Sequence, residues 1–280
     1  MTPLHLSSIH IYPIKATQGI ARAEAVVETR GLQHDRRWML VDEGGTFLTQ
    51  REHPRLALVR TAVEPVSLRV NAPGMEPLAV ARPGAEAPRL RVRVWKNTLT
   101  AAEADGTAHA WFSAYLGFHC RLVYMDDAAV RRVDQRYTVA DGLVSFADGY
   151  PLLLTSEASL ADLNARLDDP VPMNRFRANL VVSGAPAFAE DQWSQVRIGA
   201  VLFHVVKPCA RCVVTTINQE TAGRGKEPLR TLRTFRRHGR KVHFGENLIP
   251  AMRGVIRVGD PLVVVARRGE GVPAVFPGNE

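Results

Sequence analysis

The sequence predicts a mixed α+β chain, rich in strand, with two helices and a boundary near its middle. Three observations carry this. Most periodic segments alternate apolar and polar residues at period two, the pattern of half-buried strands. Only two segments repeat apolar residues at helical spacing. The chain has 280 residues, 46% of them hydrophobic, enough for one large core or two smaller ones. A boundary near residues 125–135, around "MDDAAVRRVDQR", divides it into 1–125 and 126–280.

The first strand lies in "SSIHIYPIK", which alternates and then meets a proline. "RRWMLVDEGGTFLTQR" sets two β-type runs around Glu43-Gly44-Gly45, a hairpin signal. The Pro- and Gly-rich polar stretch at 64–88 reads as long surface connections. In "RLRVRVWKN", Leu90, Val92 and Val94 face one way and the arginines the other. The first helix is "DGTAHAWFSAYLG", with Ala108, Trp111, Phe112, Tyr115 and Leu116 on one stripe and Gly117 at its end. The second is "TSEASLADLNARLDDP", with Ser156 as N-cap, Leu160, Leu163 and Leu167 on the stripe, and Pro170 closing it. Strands return in "RANLVVSG", "VRIGAVLFHVVKPCARCVVTTI" and "GVIRVGDPLVVVARR". The last turns at Gly259-Asp260-Pro261, as strands of small barrels do.

The net charge is +8, with 31 Arg against 5 Lys. Such a balance suits an anionic ligand or an acidic partner, and also follows from a bias toward arginine. The basic residues are scattered except in "RTLRTFRRHGRK", Arg230 to Lys241. No helix-turn-helix, zinc module or RNP-type aromatic pattern accompanies the charge, so nucleic acid is not an expected partner. No apolar run is long enough to span a bilayer and no signal peptide is visible, so no membrane association is expected. Three cysteines argue against a disulfide framework and for a reducing cytoplasmic setting.

The most informative stretch is "KPCARCVVTT", Lys207 to Thr216. A structural zinc site needs four ligands, usually in two pairs, and only Cys120 with His119 or His204 remains to complete one. A thioredoxin-like dithiol needs a helix after the first cysteine, whereas the five β-branched residues of "VVTTI" favour strand. The pair then sits within or at the end of a hairpin. A single thiolate ligand for a soft metal is the third reading, with Lys207 or Arg211 holding a sulfur as thiolate. Two buried core cysteines are the fourth.

The flanks of this pair resemble the MOSC family, named for the C-terminal domain of molybdenum cofactor sulfurase. The likeness lies in "KPCARCVVTTINQETAGRGKEPLRTLRTFR", "FGENLIP" and "IRVGDPLVVV", and continues upstream in "FADGYPLLLTSEASLADLNARL", "NRFRANLVVSG" and "FAEDQW". In the first half, "IYPIKATQGI", "GLQHDRRWMLVD" and "FLTQREHPRLALV" are similar to the β-barrel domain preceding MOSC in the amidoxime-reducing proteins. The resemblance implies an N-terminal β-barrel-like domain packed against a MOSC β-barrel with peripheral helices. It also implies a molybdenum cofactor (molybdopterin-bound molybdenum) held between them.

By motif position, the resemblance makes Cys212 the metal ligand and places Cys209 beside it. Lys15 and Arg36 fall where the family has cationic cofactor contacts. Arg177 and Asn179 fall where it holds the phosphate and pterin edge. Asp148, Gly149 and Tyr150 match a loop bordering the metal, with Asp148 a candidate for proton handling. The chain departs from the pattern at Ala16, Gly149-Tyr150 and Ala178, which bears on the substrate pocket. The implied activity is two-electron reduction of N-hydroxylated compounds, the oxygen leaving as water. A plant-type iron–sulfur cysteine set is absent, so the electrons are expected from a separate ferredoxin-like protein, flavoprotein or cytochrome, with Arg230 to Lys241 as one dock. The alternative is a non-catalytic carrier of the cofactor or of sulfur.

Overall fold

The computed structural model describes residues 3–137 and 142–269. The chain opens with β1 (His5–Ile11), β2 (Ile20–Arg22), β3 (Glu24–Glu28), β4 (Gly31–Leu32) and β5 (Trp38–Val41). Then come β6 (Arg60–Val63), β7 (Ser67–Asn71), β8 (Leu78–Ala81), β9 (Arg89–Val94), β10 (Asn97–Glu103), α1 (Gly106–Leu116) and β11 (Arg121–Tyr124). The second half holds β12 (Leu152–Ser156), α2 (Glu157–Asn164), β13 (Leu180–Ser183), β14 (Trp193–Ile198), β15 (Val201–Ala210) and α3 (Leu229–Phe235). It ends with β16 (Arg237–His238), β17 (Lys241–Pro250), β18 (Gly254–Arg257) and β19 (Leu262–Arg267).

Two β-rich bodies result. The larger sheet runs β19-β14-β15-β17-β12-β13-β1-β2, with β16 on the side of β17. It curls until β19 meets β1: Leu6 N–H donates to Asp260, Leu262 N–H donates to Leu4, and His5 bridges Pro261. Leu6, Ile9, Leu152, Leu154, Leu180, Val182, Trp193 and Phe203 fill its interior. The other body is built on the sheet β5-β11-β10-β9 and the smaller sheet β6-β7-β8. Helix α1 lays Ala108, Trp111, Phe112 and Tyr115 against its core. Asp105 caps that helix through the Ala108 N–H, and Gly117 ends it in the left-handed region at φ 83°; a cap of this kind is worth about 1 kcal/mol.

Strand pairing crosses the expected boundary at 125/126. Strand β1 pairs with β13, and β3 pairs with β18. The first two dozen residues thus belong to the second sheet before the chain enters the first body.

Several local expectations are corrected. The stretch at 64–88 is not only connection: it contains β7 and β8, which bury Leu68, Val70 and Val80. Their alternation is short, and Pro65, Pro73, Gly74 and Pro77 at the turns mask it. The second arm of the Glu43-Gly44-Gly45 hairpin pairs only through isolated bridges, Val41 with Phe47 and Thr46 with Arg93. Helix α2 keeps its Ser156 cap but ends at Asn164, and of its expected stripe only Leu163 is fully buried. The "VVTT" run is a short 3-10 turn, Val213–Thr216, rather than strand. The Thr215 hydroxyl donates to Cys212 C=O at 2.9 Å and that of Thr216 to Val213 C=O at 2.8 Å. These local bonds offer the backbone an alternative to the ladder and override β propensity.

Strand β15 carries two register shifts against β17, between Val205 and Lys207 and between Pro208 and Ala210. Irregularities of this kind re-aim side chains next to functional sites, and Lys207, Cys209 and Cys212 follow from them. Opposite, Gly245 in β17 has φ 77°, and a Cβ there would lie 2.6 Å from Leu154 O and 2.7 Å from Thr155 Cγ2. Gly245→Ala is expected to lower stability by about 2–4 kcal/mol through strain and overpacking. A urea titration checks it, and an unchanged midpoint contradicts it.

Candidate functional site

A cavity of about 320 Å³ lies between the two bodies. Its wall includes Lys15, Arg36, Asp148, Gly149, Tyr150, Arg177, Asn179, Cys209 and Cys212, so every candidate named from the sequence reaches one space. Thr49, Gln50, Arg51, Lys207, Arg211 and Asn247 line it too.

The cations come from both halves of the chain. Lys15 follows β1, Arg36 stands between β4 and β5, and Arg51 lies in the loop after the hairpin. Arg177 follows a 3-10 turn at Met173–Phe176, while Lys207 and Arg211 lie at and just beyond the end of β15. Each of the six has its charge over an aromatic ring. Arg36 and Arg177 share Tyr12 at 4.1 and 4.3 Å, and Lys207 stands 4.1 Å from Tyr137. Arg51 lies 4.8 Å from Trp95, Lys15 5.3 Å from Phe47 and Arg211 5.6 Å from Phe176. These distances fall within the range of cation–π attraction.

The backbone is bent to deliver this set. Ala16, Arg36 and Arg177 all line the cavity with left-handed φ of 69°, 47° and 56°, a conformation uncommon outside glycine. Asp35, buried behind Arg36, accepts from Arg36 Nη1 at 2.7 Å and from Tyr12 N–H at 2.8 Å. Asn179, 1% exposed, joins the elements. Its Oδ1 accepts from Arg36 at 2.8 Å and from Leu153 N–H at 3.2 Å, and its Nδ2 donates to His10 C=O at 3.0 Å. Its side chain therefore ties β1, β12 and Arg36 together.

The loop bearing Asp148 is held by Arg131, whose guanidinium donates to the carbonyls of Ser145, Ala147 and Asp148. Asp148 pairs with Lys15 and accepts from Trp95 Nε1 at 3.1 Å. Its side chain is 61% exposed, against 8% for Lys15. Burial raises the Asp148 carboxyl, but Lys15 and then Trp95 outweigh it and hold it well below the usual carboxylate range. Burial lowers the Lys15 ammonium, and Asp148 offsets part of that. Burial also brings Arg177 down to about 10, which leaves it protonated at neutral pH.

The two sulfurs face different arginines. Arg51 Nη2 lies 3.2 Å from Cys212 Sγ, and Arg211 Nη1 lies 3.0 Å from Cys209 Sγ. Cys209 packs against Leu153, Ala178 and Val181, and burial pushes its thiol up more than Arg211 brings it down. Both cysteines are free thiols. Cys120 is buried in the first body, where its N–H donates to the Ser113 hydroxyl. Among the described residues, no three His, Cys, Asp or Glu side chains gather as a metal-binding group.

Two family models match the chain: the MOSC N-terminal beta barrel domain over residues 4–119 and the MOSC domain over residues 141–263. Mitochondrial amidoxime-reducing component 1 of Mus musculus is 34% identical over 281 residues, covering 94% of this chain and 82% of that protein. The chain belongs to the MOSC family. Mitochondrial amidoxime reducing component 2 of Rattus norvegicus is 35% identical, with 92% and 82% covered. Molybdenum cofactor sulfurase of Oryza sativa subsp. japonica is 33% identical across 88% of this chain, which spans 32% of that larger protein.

The MOSC domain carries Cys209, Cys212 and three of the six cations; the N-terminal barrel domain supplies Lys15, Arg36 and Arg51. Arg51 and Arg131 were missed as individuals by sequence reasoning. Arg51 stood inside the quoted "FLTQREHPRLALV" and Arg131 inside the expected boundary segment. The amidoxime-reducing relatives are named mitochondrial; in this chain, among the described residues, no helix is long and apolar enough to cross a membrane.

Asn179→Ala leaves the His10 carbonyl, the Leu153 N–H and one Arg36 N–H without their partner in a buried network. A loss of about 2–4 kcal/mol is expected from these unsatisfied groups, read by chemical denaturation. A change below about 0.5 kcal/mol, the range of ordinary surface substitutions, contradicts the role given to this amide.

Proposed function

We propose that this MOSC protein binds the molybdenum cofactor in the inter-domain cavity and reduces N-hydroxylated compounds with electrons from a separate protein. The observation that carries the reading is the donor set: six cations and a partly exposed thiol around one space, with Asp148 the single carboxylate on its wall among the described residues. Such a space suits a polyanionic ligand that also needs a soft sulfur donor. The names of the relatives support the same ligand and substrate class.

Arg177 and Arg36 would grip the cofactor phosphate, as forked guanidinium donors do, with Lys15 as a point charge. Asn179 acts chiefly through Arg36, since its amide is already engaged within the protein. Cys212 would be the protein thiolate ligand, and Arg51 offers that sulfur a charged N–H donor. Cys209, packed in the wall with its thiol raised, stays protonated and serves as a neighbour.

Bound there, the cofactor supplies a two-electron molybdenum centre. The net reaction breaks an N–O bond, takes up two electrons and two protons, and releases the amine-type product and water. Asp148 is ionised at neutral pH, so it can orient a proton-bearing group at the mouth and is a poor acid itself. Gly149 and Tyr150 border the same mouth, and Tyr150 adds bulk there. The carrier alternative draws on the likeness to the rice sulfurase and expects bound cofactor without turnover.

Chain purified from a cofactor-competent host is expected to hold about one molybdenum per polypeptide and little zinc, by elemental analysis. Stoichiometric zinc without molybdenum contradicts the reading. With dithionite-reduced methyl viologen as donor, benzamidoxime should be reduced; molybdenum-loaded protein without turnover favours the carrier.

Cys212→Ser is expected to abolish turnover while pterin content stays near wild type, because a hydroxyl is a harder donor than a thiolate. Cys209→Ser should keep much of the activity. Arg177→Ala should weaken cofactor retention about 10- to 100-fold through loss of a charged contact, read as pterin content after gel filtration. An inactive Cys209→Ser beside an active Cys212→Ser reverses the ligand assignment.

A further inference from the structure

We propose that the rim beside Cys212 is the docking surface for an acidic electron-carrier protein. The proposal rests on the reductase reading above, and the experiment is built so that the two can fail separately.

The centre of this rim is apolar. Val213, next to Cys212, is 51% exposed, and Trp95, at the tip between β9 and β10, is 44% exposed. Among the described residues Trp95 is the one exposed Phe, Tyr or Trp side chain. Its ring lies against Arg51, and Arg51 reaches Cys212 Sγ. A continuous series of contacts therefore runs from an exposed indole through a guanidinium to the candidate ligand sulfur.

The surround is cationic. Arg224, exposed, donates from Nη2 to the backbone carbonyl of Arg51 at 2.7 Å. Gly225 N–H bonds to Thr216 C=O, which brings the exposed Lys226 beside the turn that follows Cys212. Lys96, also exposed, adjoins Trp95. The opposing charges nearby are Glu52, whose carboxylate takes the Thr49 hydroxyl, the exposed Glu220 in the turn before Arg224, the Lys15-paired Asp148 and Glu227, which pairs with Arg230. An apolar centre holding Trp and Arg within a charged rim is the composition of protein interfaces, and the sign of the rim selects an acidic partner.

This moves the dock inward from the run at Arg230 to Lys241. There Arg230 pairs with Glu227, Arg236 with Asp191, and Arg237 binds the Gly239 carbonyl. Arg233, Arg240 and Lys241 of that run are exposed, but none of the run's residues lines the cavity, whereas the rim adjoins it through Arg51 and Cys212. At the rim, two reduced one-electron carriers in succession would each be oxidised by one electron per turnover, supplying the two electrons that the N–O cleavage consumes together with two protons.

The test uses the cofactor-loaded full chain and benzamidoxime, with two electron sources run in parallel. One is an acidic plant-type ferredoxin kept reduced by NADPH and its reductase; the other is dithionite-reduced methyl viologen. The variant is K96E/K226E, two exposed lysines outside the cavity wall. Expected are a rise of about tenfold or more in KM for ferredoxin, a wild-type ferredoxin rate that falls as salt rises, and viologen-driven kcat within twofold of wild type. Ferredoxin binding to the same cofactor-loaded chain, followed by biolayer interferometry at low salt, should weaken in step. Unchanged ferredoxin KM and binding in the variant overturn the proposal. So does a wild-type chain that neither binds nor uses ferredoxin while viologen drives turnover, or a viologen rate that falls as far as the ferredoxin rate. If the molybdenum-loaded wild type turns over with neither source, the reductase reading fails, and the binding arm alone decides whether the rim docks an acidic carrier.

Discussion

Six like charges around one small cavity repel one another, and much of this structure exists to keep them there. Charges about 4–8 Å apart repel by about 2–4 kcal/mol at the effective dielectric that suits protein sites. An aromatic face returns about 0.5–2 kcal/mol to a cation. The rings of Tyr12, Phe47, Trp95, Tyr137 and Phe176 therefore offset part of the repulsion and leave a remainder. Asp148 and the buried Asp35 neutralise two charges at most. The remainder is the reason the proposed occupant is an anion, and the fold sets the cations in place around one space.

Holding the cations apart requires a rigid frame, and the frame is made of β pairing with deliberate breaks. The β1–β13 ladder brings Tyr12 and Lys15 to Arg177 and Asn179, which are far away in sequence. The irregular β15–β17 pairing turns the cysteine segment inward where a regular ladder would alternate it away. Left-handed residues at Ala16, Arg36 and Arg177 store strain at the cavity, and strain of this kind persists only where surrounding structure over-determines it. Asn179, bonded on several sides, is part of that surround.

Period-two alternation located β1, β5, β9, β13, β14, β15, β18 and β19 but not β7 and β8, and the helix ends at Ser156 and Gly117 were legible because such signals are short-range. The cysteine pair and the cavity residues were reachable through motif resemblance, each being embedded in a distinctive string. What the sequence withheld is long-range. Arg51 meets Cys212 across 161 positions, and no period or spacing encodes that meeting. The aromatic partner of each cation is likewise invisible locally, since Tyr12, Phe47 and Trp95 read as ordinary strand or turn residues. The "VVTT" run misled for the opposite reason: its propensity was clear, but threonine hydroxyls at the rim closed a turn that the ladder did not continue.

The weaving of β1 and β2 into the second sheet has a bearing on inheritance. The two family domains, 4–119 and 141–263, look like separable modules on a linear map. In space, the first lends the second a barrel wall, and each contributes three of the six cavity cations. A gene cut between them would leave β13 with an open edge, prone to pair with other chains, and would split the cavity's cations in half. Recombination that swaps one half for a distant cousin's must therefore match a strand register and a charge pattern at once. In this chain neither half has a complete barrel wall or a complete set of cavity cations without the other.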